Sequence, residues 1–256
     1  VNSLDNNSCQ DIAISSSGKF QTTVAYNRAV RYSVNYGLTF TSGDIMNSLS
    51  VAMTEDGLYQ IMGEQDSAGR VYALDFRSDI NNPVRTQIFQ WSPTQSTVNN
   101  VAISDNGQYK VATYNGGRMA TQYASNSWVQ TTLSFNISGF AMSGNGQYRV
   151  VITTKTATSE LKLSVDYGSS WSTMSSAGTR KWQAVDISSS GQFMTAVAQD
   201  DYIWVSQDFG ETWQQKADTD YKWSDIDISR NGQYQTAVIG TDDYLNLAPG
   251  PIYTSN

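Results

Sequence analysis

The sequence predicts an all-β fold, a six-bladed β-propeller made of four-stranded antiparallel blades. One phrase occurs six times: an apolar residue, a small or acidic residue, Ile or Met, Ser or Thr, two variable residues, Gly, one further residue, and Tyr or Phe. The glycines of the six copies are Gly18, Gly57, Gly107, Gly146, Gly191 and Gly232. Their spacing, close to 40 residues, is typical of a radial or stacked repeat.

The fifth repeat shows how one unit supplies four strands. Short β-rich runs cover Val185 to Ser188, Phe193 to Gln199, Tyr202 to Gln207 and Thr212 to Lys216, and turn-forming residues separate them. The repeats follow one another without a linker, so residues 1–256 are expected to form a single domain.

The third turn of a repeat carries the most specific motif, S-x-D-x-G-x-x-W. Two repeats carry it in full and the first carries a relaxed copy; the third repeat retains only Thr121 and Trp128, and the second has Arg77 where Gly is expected. The motif residues are Ser164, Asp166, Gly168 and Trp171; Ser206, Asp208, Gly210 and Trp213; and Asn35, Gly37 and Phe40. The carboxylate can accept N–H bonds within its own turn, and the aromatic ring fills a gap between strands.

These turns resemble the Asp-box of the BNR-repeat β-propellers, the superfamily of sialidase-like and sortilin-like propellers. The resemblance covers nearly the whole chain at the level of the repeat. It implies that the box is structural and lies away from the ligand-binding face. The closest similarity in phrase is to non-catalytic members, such as repeat domains of large surface or viral proteins.

The last repeat ends before a fourth strand, because Ile252 to Asn256 matches Ile203 to Gln207. Residues near Val1 could supply that strand and close the ring by pairing the N-terminal and C-terminal strands. The alternative is that further blades or domains of the same polypeptide follow.

Composition excludes several classes of function. With 16 Lys and Arg against 23 Asp and Glu, the net charge of −7 argues against a nucleic-acid partner. His is absent, which excludes a His general base, a Ser-His-Asp triad and a His metal ligand. Cys9 is the only cysteine, and no apolar stretch is long enough to span a membrane. The low charged fraction of 15% favours an extracellular, cell-surface or virion location.

A ligand is expected on the face formed by the second-to-third-strand turns and the blade-linking loops. The candidate binding residues there are Arg180, Trp182, Tyr202, Tyr221, Lys222, Trp223 and Tyr244. Exposed, Trp182 and Trp223 would form a platform for stacking a sugar. The alternative is that both indoles pack between neighbouring blades, as repeated large apolar residues usually do.

Two Asp-Asp pairs occupy equivalent turns of the fifth and sixth repeats. Asp200 and Asp201 match Asp242 and Asp243, and four carboxylates together could bind Ca²⁺ through oxygen ligands. The alternative is ordinary turn chemistry. No other cofactor is indicated.

The sequence therefore predicts a non-catalytic recognition or scaffold propeller that binds a glycan or a protein. The alternatives are a sialidase-like glycoside hydrolase and an intracellular assembly factor. The hydrolase is less favoured because the Arg-Ile-Pro motif of sialidases is absent and only four Glu occur, with Glu55 and Glu211 on the opposite face.

Overall fold

The computed structural model describes residues 9–66, 68–91, 97–216, 221–240 and 252–255. The chain divides into two compact units, Val1–Ser134 and Phe135–Asn256, and each is described by itself. The part of the chain that is described contains no helix long and apolar enough to cross a membrane.

The first unit contains three four-stranded antiparallel sheets, and in each the strands follow chain order. The first sheet comprises β1 (Asp11–Ile14), β2 (Gln21–Val24), β3 (Arg28–Ser33) and β4 (Thr41–Met46). The second comprises β5 (Ser48–Met53), β6 (Tyr59–Glu64), β7 (Arg70–Asp75) and β8 (Val84–Gln90). The third comprises β9 (Val98–Ile103), β10 (Tyr109–Tyr114), β11 (Arg118–Tyr123) and β12 (Val129–Thr132).

The second unit contains one four-stranded and one seven-stranded sheet. The smaller sheet comprises β13 (Gly139–Met142), β14 (Arg149–Ile152), β15 (Leu161–Ser164) and β16 (Ser172–Thr173), followed by a 3₁₀ turn at Ser175–Ala177. The larger comprises β17 (Trp182–Ile187), β18 (Met194–Asp201), β19 (Ile203–Ser206), β20 (Gln214–Gln215), β21 (Tyr221–Ile228), β22 (Gln235–Ile239) and β23 (Ile252–Ser255).

The four-stranded antiparallel blades are confirmed, but the count of six is not, because the described residues form five sheets. The long strand β18 extends past its own blade, and its end pairs with the start of β21: Gln199 lies opposite Lys222 and Asp201 opposite Tyr221. The fifth and sixth repeats therefore share one sheet. The predicted ring closure involves residues near Val1, which lie outside the described residues.

The apolar positions of the phrase are where one repeat packs against the preceding one. Val51 is 5% exposed and Met53 6% exposed in the second sheet, and Val185 and Ile187 are similarly buried in the second unit. The equivalent Ile12 and Ile14 of the first sheet are 51% and 52% exposed. Burial at this position therefore depends on a preceding repeat.

In the first, fourth and fifth repeats, the aromatic residue that ends the phrase lies on the glycine turn of the next repeat. A Cβ added at Gly57 would lie 2.5 Å from Phe20 Cβ, and one at Gly191 or Gly232 would lie 2.4 Å from Tyr148 or 2.3 Å from Phe193. No side chain larger than hydrogen fits beneath these rings. At Gly107 an added Cβ would instead lie 3.2 Å from Thr54 Cγ2. The spacing of Gly and Tyr or Phe in the phrase thus records a contact between repeats.

Hydrogen bonds join the same neighbours. In the first unit Asp11 Oδ2 accepts from Val51 N at 2.8 Å, and at the equivalent position Ser50 Oγ accepts from Val101 N at 3.1 Å. The turns also bond to one another, with Ser16 N donating to the carbonyl of Glu55 at 3.0 Å. These bonds satisfy backbone N–H groups that no strand pairing reaches.

A second hydrogen bond stabilises the glycine turns of the first four repeats from within the repeat. The residue after the phrase aromatic donates back to the glycine carbonyl: Gln21 to Gly18 at 3.2 Å, Gln60 to Gly57 at 3.1 Å and Lys110 to Gly107 at 3.0 Å. Arg149 does the same to Gly146 in the second unit. A neutral amide therefore makes the same turn bond as a cationic side chain.

We expect Gly57→Ala to destabilise the protein more than Gly18→Ala. Both glycines have positive φ, 76° and 74°, so both substitutions carry the same backbone strain. Only the methyl group added at position 57 would collide with Phe20, because nothing lies within 4 Å of the equivalent point at Gly18. The difference in the free energy of unfolding should be about 1–3 kcal/mol, measured by urea denaturation. Equal losses of stability in the two variants would show that the packing of the Phe20 ring does not require a glycine at position 57.

Candidate functional site

All three motif turns have the hydrogen bonds that their sequence predicts. Asp166 Oδ1 accepts from Ser170 N at 2.8 Å, and Asp208 Oδ1 accepts from Thr212 N at 2.9 Å. In the relaxed copy Asn35 Oδ1 accepts from Thr39 N at 3.0 Å. The turn serines Ser33, Ser164 and Ser206 each accept from the amide of the motif glycine, Gly37, Gly168 or Gly210.

These hydrogen bonds account for the acidity of the turn carboxyls. Bonds from the Ser170 hydroxyl and amide lower the pKa of Asp166 to about 2, and the equivalent bonds from Thr212 lower the pKa of Asp208. The motif aromatics pack locally. Trp213 is buried, and its ring centre lies 6.4 Å from that of Trp182. The ring centre of Trp171 lies 6.0 Å from that of Phe135, and Phe40 is half-buried. Both motif carboxylates are thus engaged within their own turns.

The predicted ligand face of the second unit centres on Arg180. Its Nε lies 3.1 Å from Asp201 Oδ2, and its guanidinium carbon lies 3.7 Å from the ring centre of Trp204. Asp201 Oδ1 also accepts from Tyr202 N at 2.7 Å and from Trp204 Nε1 at 3.3 Å. The structure therefore brings Arg180 and Tyr202 together around Asp201. Sequence analysis missed Trp204, although an indole beside the Asp-Asp turn was a signal for it.

The two predicted stacking residues do not offer open ring faces. Trp182 is 0% exposed and Trp223 is 2% exposed, because both side chains sit in the cores of the second unit. Trp223 Nε1 donates to the carbonyl of Asp201 at 3.0 Å. The expectation of a sugar platform on these two indoles is therefore corrected in favour of packing.

Tyr221 and Lys222 begin strand β21 beside this cluster. Tyr221 lies edge-on to Trp223 with ring centres 5.4 Å apart, and the Lys222 side chain is exposed. Of the predicted binding residues, Arg180, Tyr202, Tyr221 and Lys222 thus surround one end of β18. Tyr244 lies outside the described residues.

The structure describes two of the four carboxylates of the predicted calcium site. Asp200 is exposed with φ of 56°, as expected for a turn residue, and Asp201 forms the ion pair with Arg180. Asp242 and Asp243 lie outside the described residues. Within the part of the chain that is described, no three His, Cys, Asp or Glu side chains are grouped to hold a metal ion.

A polar cluster at the end of β6 in the first unit was not predicted as a site. Glu64 Oε2 lies 3.3 Å from Arg70 Nε, Arg70 also pairs with Asp66, and Arg70 Nη1 donates to Tyr72 OH at 3.3 Å. Burial and the neighbouring Asp66 raise the pKa of Glu64. Glu64 occupies a register position that Tyr114 fills with a buried ring in the third repeat, so a carboxylate stands where the repeat usually has an apolar side chain.

Two inner-strand carboxylates approach each other in the second unit. Asp186 on β17 accepts from Ile228 N through Oδ2 at 2.9 Å. Burial first, and the nearby Asp227 carboxylate second, raise the pKa of Asp186 well above its usual range. This pair occupies the small-residue position of the phrase, which is Ala in the first four repeats.

Comparisons with known proteins identify the fold. No protein-family model matches the chain, and no curated protein matches it. Among solved structures, hydrazine synthase of Kuenenia stuttgartiensis aligns over 93% of this chain and 77% of its own, with a TM-score of 0.68 and 11% sequence identity. Together with the repeated four-stranded sheets, this likeness shows a β-propeller fold. At this identity the likeness is one of fold alone.

We expect Asp208→Ala to lower the free energy of unfolding by about 1 kcal/mol, because it leaves the Thr212 amide and hydroxyl without their acceptor. Asp208→Asn should cost much less, because Asn35 makes the equivalent backbone bond in the first repeat. Urea denaturation measures both. Equal losses for the two variants would contradict this account of the turn.

We expect Asp227→Asn to stabilise the protein at pH 7 and to have little effect near pH 3. A carboxyl whose pKa is raised by folding contributes stability below its unfolded pKa, and this contribution is lost as pH rises through the folded pKa. Removing the Asp227 charge lowers the pKa of Asp186 and recovers about 1.4 kcal/mol per pKa unit. Thermal unfolding from pH 3 to 8 provides the measurement. A stabilisation independent of pH would show that the two carboxyls do not interact.

Proposed function

We propose that this protein is a non-catalytic recognition propeller that binds a glycan or a protein. The binding surface is the cluster at the end of β18, comprising Arg180, Asp201, Tyr202, Trp204, Tyr221 and Lys222. The observation that carries the proposal is the fixed position of the Arg180 guanidinium, stacked on Trp204 at 3.7 Å and paired with Asp201 at 3.1 Å.

An arginine held in this way is suited to recognition. Its side chain is already ordered, so binding loses less conformational entropy than it would with a flexible residue. Arg and Tyr are also the residue types that contribute most at binding surfaces. Tyr202 and Tyr221 are half-buried, which gives rigid rings with polar tips, and Lys222 adds an exposed cation.

Recognition is better supported than hydrolysis. In the predicted face, Asp201 is held by Arg180 and two N–H donors, which leaves the exposed Asp200 as the neighbouring carboxylate. In the first unit, Glu64 and Asp66 both pair with Arg70. Asp56 and Asp105 line the larger cavity, but Asp56 already accepts hydrogen bonds from the Thr54 hydroxyl and the Leu58 amide. A glycosidase needs two available carboxyl groups facing one ligand.

The family and the ring belong to the same proposal. The hydrogen bonds of the three motif turns support membership of the BNR/Asp-box propellers, and the Ser, Thr and Asn content supports a cell-surface or virion location. A ring of six repeats, closed by pairing of N-terminal and C-terminal strands, would give β23 its missing neighbour. Deletion of residues 1–8 should then lower the Tm by several degrees, and an unchanged Tm would contradict closure by that segment.

A glycan array, with Ca²⁺ or with EDTA, tests the proposed function, followed by pull-down of protein partners with the same variants. We expect binding to one defined ligand class, reduced about tenfold or more by Arg180→Lys and by Tyr202→Ala. The matched control is Lys216→Ala, an exposed cation of the same unit. Loss of binding with EDTA alone would favour a cation site at the Asp-Asp turns. Binding that none of the cluster variants alters would overturn the assignment of this surface.

A further inference from the structure

The larger of the two cavities described lies in the first unit, between the glycine turns and motif turns of the second and third repeats. Its volume is about 580 Å³, within the range of small-molecule sites. Tyr59, Arg77, Lys110 and Gln122 are among the side chains that line it. The cavity lies at the end of the strands opposite to the β6–β7 turn. The Arg180 cluster lies in the second unit and is a separate site.

The cavity lies where the repeat departs from its own pattern. The second repeat has Asp75 in the motif position but Arg77 in place of Gly, and the third repeat has no motif Asp at this turn. Its turn contains Ala124 with φ of 51° and Ser125, and both line the cavity. The third repeat keeps the backbone bonds of the turn, from Ala124 N to the Gln108 carbonyl and from Asn126 N to the Tyr123 carbonyl. The two repeats that line this cavity are nevertheless two in which the side chains of the motif are incomplete. Sites where a repeated local rule fails are where function is expected.

Lys110 is the most informative residue of this cavity. It is 7% exposed, and its Nζ donates to the carbonyl of Gly107 at 3.0 Å. Among the described residues no carboxylate pairs with it, and a buried ammonium without a partner is costly. Burial and the nearby Arg77 lower the pKa of Lys110. Gln21 and Gln60 make the same turn bond without a charge, so the fold does not require a cation here.

Arg77 adds a second cationic group at the same place. Its guanidinium carbon lies 4.7 Å from the ring centre of Tyr59, and Lys110 Nζ lies 5.6 Å from that centre. Asp75 binds Nε and Nη2 of Arg77, which leaves the Nη1 donors available. Two cations therefore border one aromatic ring at the cavity wall.

The remaining wall limits the kind of anion. Leu58 and Ile88 provide an apolar side, whereas Asn106, Gln108 and Gln122 provide amides. Asp56 and Asp105 also line the cavity, and their charges oppose a polyanion or a phosphate dianion. A ligand that fits has one negative charge, several hydroxyl groups and one apolar face. A carboxylated monosaccharide has all three properties.

We propose that this cavity binds the carboxylate of a uronic-acid sugar, with Lys110 and Arg77 as its cationic ligands. The sugar hydroxyls then meet the amides of Asn106, Gln108 and Gln122, and the apolar face of the ring lies against Leu58 and Ile88. This is a second binding site, distinct in position from the one assigned to the Arg180 cluster.

Titration of the whole protein with D-glucuronate, followed by NMR, tests the proposal, with D-glucose and inorganic phosphate as comparison ligands. We expect saturable binding of glucuronate, with shift changes in residues 54–59 and 105–110, and at least tenfold weaker binding of glucose. Absence of glucuronate binding overturns the proposal. Phosphate binding as tight as that of glucuronate overturns the sugar assignment, because it indicates a general anion site.

Two variants that copy the protein's own repeats identify the residues. Lys110→Gln introduces the residue that the first two repeats use at this turn, and Arg77→Gly restores the motif glycine. Each should weaken glucuronate binding about 10- to 100-fold, the range for loss of one charge-assisted hydrogen bond. Lys216→Gln, an exposed lysine of the second unit, is the control with the same charge change. Unchanged affinity in both cavity variants overturns the assignment of these cations.

Discussion

The contact between an aromatic ring of one repeat and the glycine turn of the next, which three pairs of neighbouring repeats make, is the constraint on which the rest of this structure depends. Phe20, Tyr148 and Phe193 each approach so closely that a Cβ at the following glycine would lie within 2.5 Å. The ring fixes how neighbouring repeats meet, and the inner-strand and turn-to-turn hydrogen bonds form in the same register. Each repeat is thus stabilised largely by its neighbours, as expected for a repeat architecture.

The same regularity shows where the protein has diverged for other purposes. A position that needs only an amide for the turn carries Lys110, and a position that needs Gly carries Arg77. Both changes fall in the first unit, beside one cavity. In the second unit, Arg180 is held by Trp204 and Asp201 at the end of β18. Departures from the repeat, and not the repeat itself, therefore carry the chemistry of both proposed binding surfaces.

The sequence predicted the repeated elements well, because most fixed positions of the phrase make a contact within or between repeats. The motif turns follow the predicted hydrogen bonds in Asn35, Asp166 and Asp208. The number of sheets was wrong, because pairing of Gln199 with Lys222 depends on the path of β18 beyond its blade. The sequence could not decide whether Trp182 and Trp223 are exposed, because a tryptophan that recurs at one position of the repeat can lie either in the core or on the surface. Lys110 was missed because its burial arises from a neighbouring repeat.

Hydrogen exchange of individual amides is the most direct test of the interlocked repeats. The amides of Ser16, Glu55 and Ser189 lie in turns, where exchange is ordinarily fast, but each donates to the turn of the next repeat at 2.8–3.0 Å. If the repeats stabilise one another as described, these turn amides exchange only through global unfolding, with the same free energy as the strand amides. Exchange of these amides at the rate of an open loop would contradict the account.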